Sequence, residues 1–322
     1  MSRRSLWLLL PLAVGLALVA WLLATVDLRA TLEVLAHVSA AGLAALVVLS
    51  AVTHLVLADR LALCLNAGGD KVSRLTLVGQ RLAAFAVSYA TPGPQVGGES
   101  LQALLLARAG VPLARGAAAL IADRTLESAT TAAVLSTLAA LAWARGVVPP
   151  VTLVALAPLW LVLAGGAAAY AAGARPLVAL ARRGWLPVAL ARTLAEAETN
   201  TVTLVADTPG LWPRAVVRSL AGWSLAWLEV WLVATSLGVT LGGLEAATVL
   251  AAARLAILLP LPAGLGAFEA AHVVAFEALG LGAGPGLAFA AVVRGRDVLA
   301  ACVGAGIAAA HARRPPATVA AP

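Results

Sequence analysis

Leu6–Thr25 reads LWLLLPLAVGLALVAWLLAT, twenty residues without a charge, just behind Arg3 and Arg4. At about 1.5 Å per residue, a helix of this length covers a hydrocarbon core of roughly 30 Å. The apolar run exceeds the roughly 7 to 15 residues of a secretory signal, and no small-x-small cleavage site precedes a polar start, so it reads as a retained membrane helix. Of the 322 residues, 62% are hydrophobic and 11% charged, against roughly 25% charged in a soluble domain. Similar apolar blocks recur along the chain, and the alternating strands of a membrane barrel do not. Helices satisfy their own backbone in lipid, where each unpaired group costs several kcal/mol. Residues 1–322 therefore read as a single integral membrane domain, all-α, a polytopic transmembrane helix bundle.

The formal charge of +7 would suit nucleic acid, but arginines flanking apolar blocks have a nearer explanation, since positive loops stay in the cytoplasm. No nucleic-acid partner is expected. Cys64 and Cys302 lie far apart, in or beside apolar blocks, and read as small buried hydrophobes. His37, His54, His272 and His311 are scattered without HExxH or His/Cys spacing, so neither a metal nor a cofactor is expected. A GxxxxGK phosphate loop and a GxSxG elbow are missing too, which weighs against ATP hydrolysis and against an enzyme with a catalytic residue.

With the N-terminus inside, the first helix leads to an outer segment holding Asp27, Arg29 and Glu33, and Ala41 to Leu57 returns to Asp59 and Arg60. Leu75 to Ala90 is broken at Thr91-Pro92-Gly93-Pro94-Gln95-Val96-Gly97-Gly98-Glu99 and followed by the short run Leu101 to Leu106. Basic flanks on both sides make this pair a hairpin that enters from the cytoplasm and returns. Ala117 to Ala144 crosses outward, toward Arg145 and Pro149-Pro150, and Val151 to Ala172 crosses back. Residues 173–218 form a basic cytoplasmic connector with Arg175, Arg182, Arg183, Arg192, Arg214 and Arg218, and with Trp185 and Trp212 among them. It either lies along the inner leaflet as an amphipathic segment or is an ordinary positive loop. Ser219 to Gly238 crosses outward. Leu244 to Leu259, the break from Pro260 to Glu269 and a return to Leu279 form a second hairpin, entered from outside. Gly286 to Ala310 ends inside at Arg313 and Arg314.

A shift of 170 residues lays Pro92 on Pro262, Glu99 on Glu269, Gly110 on Gly280, Arg124 on Arg294 and Glu127 on Asp297. Three crossings separate the hairpins. Repeats at approximately 76–144 and 246–314 are therefore expected in opposite orientation, a plan in which broken helices hold a polar substrate near the midplane. One Pro-Gly break alone would read as a structural kink. A matched pair favours a site. Charges such as Asp123, Glu229, Arg254 and Arg296 also fall in apolar segments, and each costs about 2.5 to 3.5 kcal/mol if left at the hydrocarbon centre. They must pair, approach the interface or line a wet cavity. Arg124 with Glu127, and Arg294 with Asp297, have the i,i+3 spacing of helix ion pairs, which would also suit a purely structural role.

The runs Pro-Gly-Pro-Gln-Val-Gly-Gly-Glu (92–99), Ala-Asp-Arg-Thr-Leu-Glu (122–127) and Pro-Ala-Gly-Leu-Gly-Ala-Phe-Glu (262–269) resemble, in order and spacing, the lysylphosphatidylglycerol synthase transmembrane-region family. The likeness spans roughly residues 5 to 310. It implies an inner-membrane protein of the flippase-like type, without a lipid-aminoacylating domain. The wording around Gln95 and the run Arg294-Gly295-Arg296-Asp297 resemble a hopanoid-biosynthesis-associated branch. Gln102 stands where the family often has a basic residue, and Pro-Leu-Pro-Ala-Gly replaces Pro-Gly-Gly in the second hairpin.

The expected function is translocation of a polar or anionic lipid across the bacterial inner membrane, with both termini cytoplasmic. The expected substrate-binding residues are Gln95, Gly97, Gly98, Glu99, Arg124, Glu127, Gly264, Gly266, Glu269, Arg294, Arg296 and Asp297. In this reading the glycines let backbone approach the headgroup, Arg124 and Arg294 neutralise phosphate, and Glu99 and Glu269 hold those arginines or bind an amine or proton. The alternative is a membrane-embedded transferase, or an accessory subunit in lipid or hopanoid biosynthesis. Partners on this reading are membrane lipids and lipid-biosynthesis enzymes, and the apolar surface leaves room for a homodimer.

Overall fold

The computed structural model of the chain describes residues 3–91, 96–144, 154, 156–183, 187–257, 259 and 261–313. Pro92 to Gln95, Arg145, Pro149, Pro150, Trp185, Pro260 and Arg314 lie outside the described residues. Among the described residues there are thirteen α-helices, one 3₁₀ turn and no strand. The helices are α1 (Arg3–Thr25), α2 (Leu28–Leu35), α3 (Ala40–Ala67), α4 (Arg74–Ala90), α5 (Val96–Arg108), α6 (Leu113–Ala144), α7 (Ala157–Ala171), α8 (Pro176–Arg182), α9 (Val188–Asp207), α10 (Leu211–Ser236), α11 (Gly243–Ile257), α12 (Ala267–Ala278) and α13 (Ala283–Arg313).

By length and composition, α3 and α10 can each cross a membrane alone. Two bent pairs also qualify if each is one span: α1 with α2, bent by 91°, and α7 with α8, bent by 79°. Asp27 makes the first bend, because its Oδ1 accepts Arg29 N and Ala30 N at 2.9 and 3.2 Å and so caps α2. Helices α6 and α13, of 32 and 31 residues, have the length to cross but carry charges in mid-course. Outward positions are apolar: Val48, Leu161 and Val162 are all exposed, as side chains facing acyl chains should be.

Helix α5 begins at Val96, inside the run read as a break, Leu28–Leu35 is helical where an outer segment was read, and two further bounds differ from the sequence reading. Helix α3 runs ten residues past Leu57, to Ala67, because Leu61, Cys64 and Leu65 continue its buried face. Arg60 is therefore inside the helix and not on a polar flank. Helix α10 begins at Leu211, so Arg214 and Arg218 belong to a helix, and the basic connector is mostly α8 and α9. Buried Glu198 on α9 accepts Leu177 N and Val178 N at 3.1 and 2.9 Å, and Tyr170 OH at 2.8 Å, and this carboxylate fixes the start of α8.

The chain divides into two compact units. The first comprises Met1–His54, Leu82–Ser100 and Trp223–Ala309. Its core joins Leu46, Val230, Val233 and Ala234 to Val249, Leu250, Phe268, Phe276 and Phe289, so α11 and α12, on either side of the second break, pack together. The second comprises Leu55–Arg81, Leu101–Gly222 and Ala310–Pro322, with Leu61, Leu65, Leu77, Leu106, Leu120, Leu126 and Leu204 at its centre.

Helices α4 and α5 are antiparallel: Gly98 abuts Ala84 and Ser88, while Gln80 Nε2 donates to Leu105 O at 3.0 Å. After each hairpin the chain turns in the same way. Gly110 (φ +91) and Gly280 (φ +73) take left-handed conformations. Val111 N then donates to Leu106 O at 3.1 Å, and Leu281 N to Phe276 O at 2.8 Å, the six-to-one bond of a glycine helix cap.

Candidate functional site

The second break is held from α13. Pro262–Gly264 form the 3₁₀ turn, and Ala263, Gly264 and Gly266 all have positive φ, a conformation costly for alanine. Their carbonyls are turned onto Arg294: Nη1 donates to Ala263 O at 2.6 Å and Nη2 to Gly264 O at 3.2 Å. Nε and Nη2 reach Glu269 Oε1 and Oε2 at 2.6 and 3.4 Å. Nη1 also meets Tyr89 OH of α4 at 3.3 Å. These five contacts match the five donors of a guanidinium. Its carbon lies 4.6 Å from the Phe268 ring centroid and 5.9 Å from that of Tyr89, within cation–π range. Glu269 Oε2 accepts Gly266 N at 2.8 Å as well, so one carboxylate caps α12 and holds the arginine.

Two residues further along α13, Arg296 Nη1 donates to Glu229 Oε2 at 2.6 Å, and its Nε lies 3.0 Å from Asp297 Oδ1. Arg254 stacks 5.1 Å from the Trp223 ring.

The second unit holds a separate cluster. Arg60 Nε and Nη2 take both oxygens of Asp123 at 2.7 and 3.0 Å, Nη2 also reaches Glu127 Oε2 at 2.7 Å, and Nη1 donates to Ser219 Oγ at 3.1 Å. Arg124 Nη1 donates to the same Glu127 oxygen at 2.7 Å. Arg81 of α4 approaches Asp123 Oδ2 at 3.7 Å. Arg60 and Asp123 are wholly buried, while Arg124 and Glu127 reach the surface. In an apolar bundle this many charges persist only because they satisfy one another.

The profile of the lysylphosphatidylglycerol synthase TM region matches residues 8–304. The chain belongs to that family. No curated protein and no solved structure matches it. Family membership and the apolar helices together make this a multi-pass membrane protein with a lipid-related role.

The residues expected from the sequence of this synthase-region protein fall into distinct places. Gly264, Glu269 and Arg294 come together at the second break, and Arg296 and Asp297 lie further along α13. The i,i+3 spacing of Arg294 and Asp297 is not the one that forms the ion pair: Arg294 turns to Glu269, and Asp297 is met by Arg296. Arg124 and Glu127 pair in the second unit. Glu99 lies half-buried in the first turn of α5, and Gln95 is outside the described residues. The glycines mostly serve packing. A Cβ on Gly98 would overlap Ala84 O and Ser88 Oγ, one on Gly97 would crowd Thr91, and one on Gly266 would strike Gly15 O and Leu18 of α1. Only at Gly264 would an added Cβ meet nothing nearer than Phe268 Cβ at 3.8 Å. Among the described residues no group of three or more His, Cys, Asp or Glu could hold a metal.

Sequence reasoning missed Arg60, Arg81, Ser219, Tyr89 and Phe268. Arg60, directly before the apolar run Leu61–Leu65, read as the charge that closes a membrane helix. Tyr89 was visible only as the aromatic residue beside the first break.

Proposed function

We propose that this protein moves a polar or anionic lipid between the leaflets of the bacterial inner membrane, with both termini in the cytoplasm. One observation carries the reading: at a break in an otherwise apolar hairpin, Arg294 gathers Glu269, two backbone carbonyls and Tyr89. A charged centre at a broken helix is what a headgroup needs on its way through hydrocarbon. Every donor of Arg294 is already engaged, so a headgroup phosphate binds there by displacing a carbonyl or Glu269. That exchange loosens the break as it holds the lipid.

An inverted repeat is part of the proposal. The equivalent turns at Gly110 and Gly280 support it. So does the equivalent packing of Gly116 on Leu106 and of Gly286 on Phe276, each shifted by 170 residues.

The test is leaflet exchange in reconstituted vesicles carrying a fluorescent phospholipid in both leaflets and an impermeant quencher outside. Quenching well beyond half, dependent on the protein, supports the proposal. Quenching held near half for phospholipid, aminoacylated lipid and hopanoid alike would refute it and favour a lipid-holding subunit of a biosynthetic enzyme.

A further inference from the structure

Arg81 is a buried guanidinium whose needs the protein does not meet. It is 8% exposed, on α4, with the fully buried Leu77 one turn earlier. Its Nη1 has no hydrogen-bond partner among the described residues, and its ion-pair contact, Asp123 Oδ2, is 3.7 Å away, too long for a hydrogen bond. Both Asp123 oxygens are already engaged by the Arg60 fork, at 2.7 and 3.0 Å. Glu127 Oε2 is likewise taken, by Arg60 and Arg124 at 2.7 Å each. Buried polar groups are nearly always bonded, and an unsatisfied charged donor is the costliest kind to leave.

We propose that Arg81 is the anchor of a phosphate site, holding one phosphate oxyanion against Nη1 beside the Arg60–Asp123–Glu127 cluster. An arginine fork matches phosphate oxygens, and in a bilayer the phosphate-bearing species at hand are phospholipid headgroups. The cluster extends from buried Arg81 to the surface at Glu127 and Arg124, whose side chains are 31% and 25% exposed. The lipid-moving reading enters only in naming the source of the anion; the same chemistry would take free phosphate.

The experiment is thermal unfolding of the full chain in an uncharged maltoside detergent, with added phosphatidylglycerol, a phosphate-free diacylglycerol glycolipid, or sodium phosphate. A ligand that binds only the folded protein raises Tm. The expected result is a rise of several degrees with phosphatidylglycerol, none with the glycolipid, and loss of the rise in Arg81→Met. Without lipid, Arg81→Met should be at least as stable as the natural protein, because an unpaired buried charge is gone. Arg81→Lys, which keeps the charge but not the fork, should retain a smaller rise and covers the case in which Arg81→Met does not fold. An equal rise with sodium phosphate supports the site with a free anion as occupant. Stabilisation by phosphatidylglycerol that is undiminished in Arg81→Met, or matched by the glycolipid, overturns the proposal and leaves Arg81 a hydrated structural charge. Leaflet exchange after reconstituting the same proteins in vesicles separates the two ideas: exchange without an Arg81-dependent rise refutes only this site, and the rise without exchange refutes only lipid movement.

Discussion

Arg60 and Asp123 form a two-point fork, Nε to Oδ1 at 2.7 Å and Nη2 to Oδ2 at 3.0 Å, with both side chains wholly buried. Sixty-three residues separate them in the chain, and the pair ties α3 to α6. Removing one partner strands the other charge, which costs about 3–5 kcal/mol in a buried pair. Asp123→Leu and Arg60→Leu should each lower Tm sharply in detergent, while the double variant, in which Glu127 keeps Arg124 and only Arg81 loses its Asp123 contact, should recover part of the loss. A double variant as unstable as the sum of the singles would show that the pair matters through something other than mutual neutralisation.

Gly110 and Gly280 close the two hairpins with positive φ, and a Cβ at either would meet nothing within 4 Å. The cost of an alanine is thus in the backbone alone, about 1 kcal/mol at each position. Gly110→Ala and Gly280→Ala should therefore give similar, modest falls in Tm, and asparagine, which tolerates the left-handed region, a smaller one. Calorimetry of the four variants checks this; strongly unequal losses would break the equivalence of the two turns.

Glu198 joins Tyr170 to the start of α8, through bonds of 2.8 to 3.1 Å. Glu198→Gln retains one carbonyl oxygen and gives up the charge-assisted caps, worth about 1.5–3 kcal/mol. The expected readout is local: faster amide exchange over 176–182, with little change in the two helix cores. Exchange unaltered in that segment would mean α8 is held by its apolar contacts instead.

What the sequence made legible was the membrane, the second break and the acidic and basic residues beside it. Helical periodicity and block length carry that information locally, so α1, α6 and α13 were found within a few residues of their ends. The buried cluster around Arg60 was not legible. A charge closing an apolar run looks like a membrane flank, and only the continuation of α3 through Leu61 and Leu65 turns Arg60 inward. Its partners are remote in sequence, where i,i+3 spacing says nothing. The part played by the glycines at 98 and 266 was open for a related reason: small residues permit close approach of a neighbouring helix as readily as of a headgroup, and composition does not say which neighbour arrives.

Passage of lipid by way of the Arg294-held break is tested by leaflet-exchange rates in vesicles for Arg294→Lys beside the natural protein. Lysine keeps the charge and loses the fork on Glu269, Ala263 O and Gly264 O, at least one charge-assisted contact of about 1.4 kcal/mol, or a factor of ten in rate. Exchange should fall about tenfold or more while the variant inserts and elutes as the natural protein does. Exchange at the natural rate in a folded Arg294→Lys protein would contradict it.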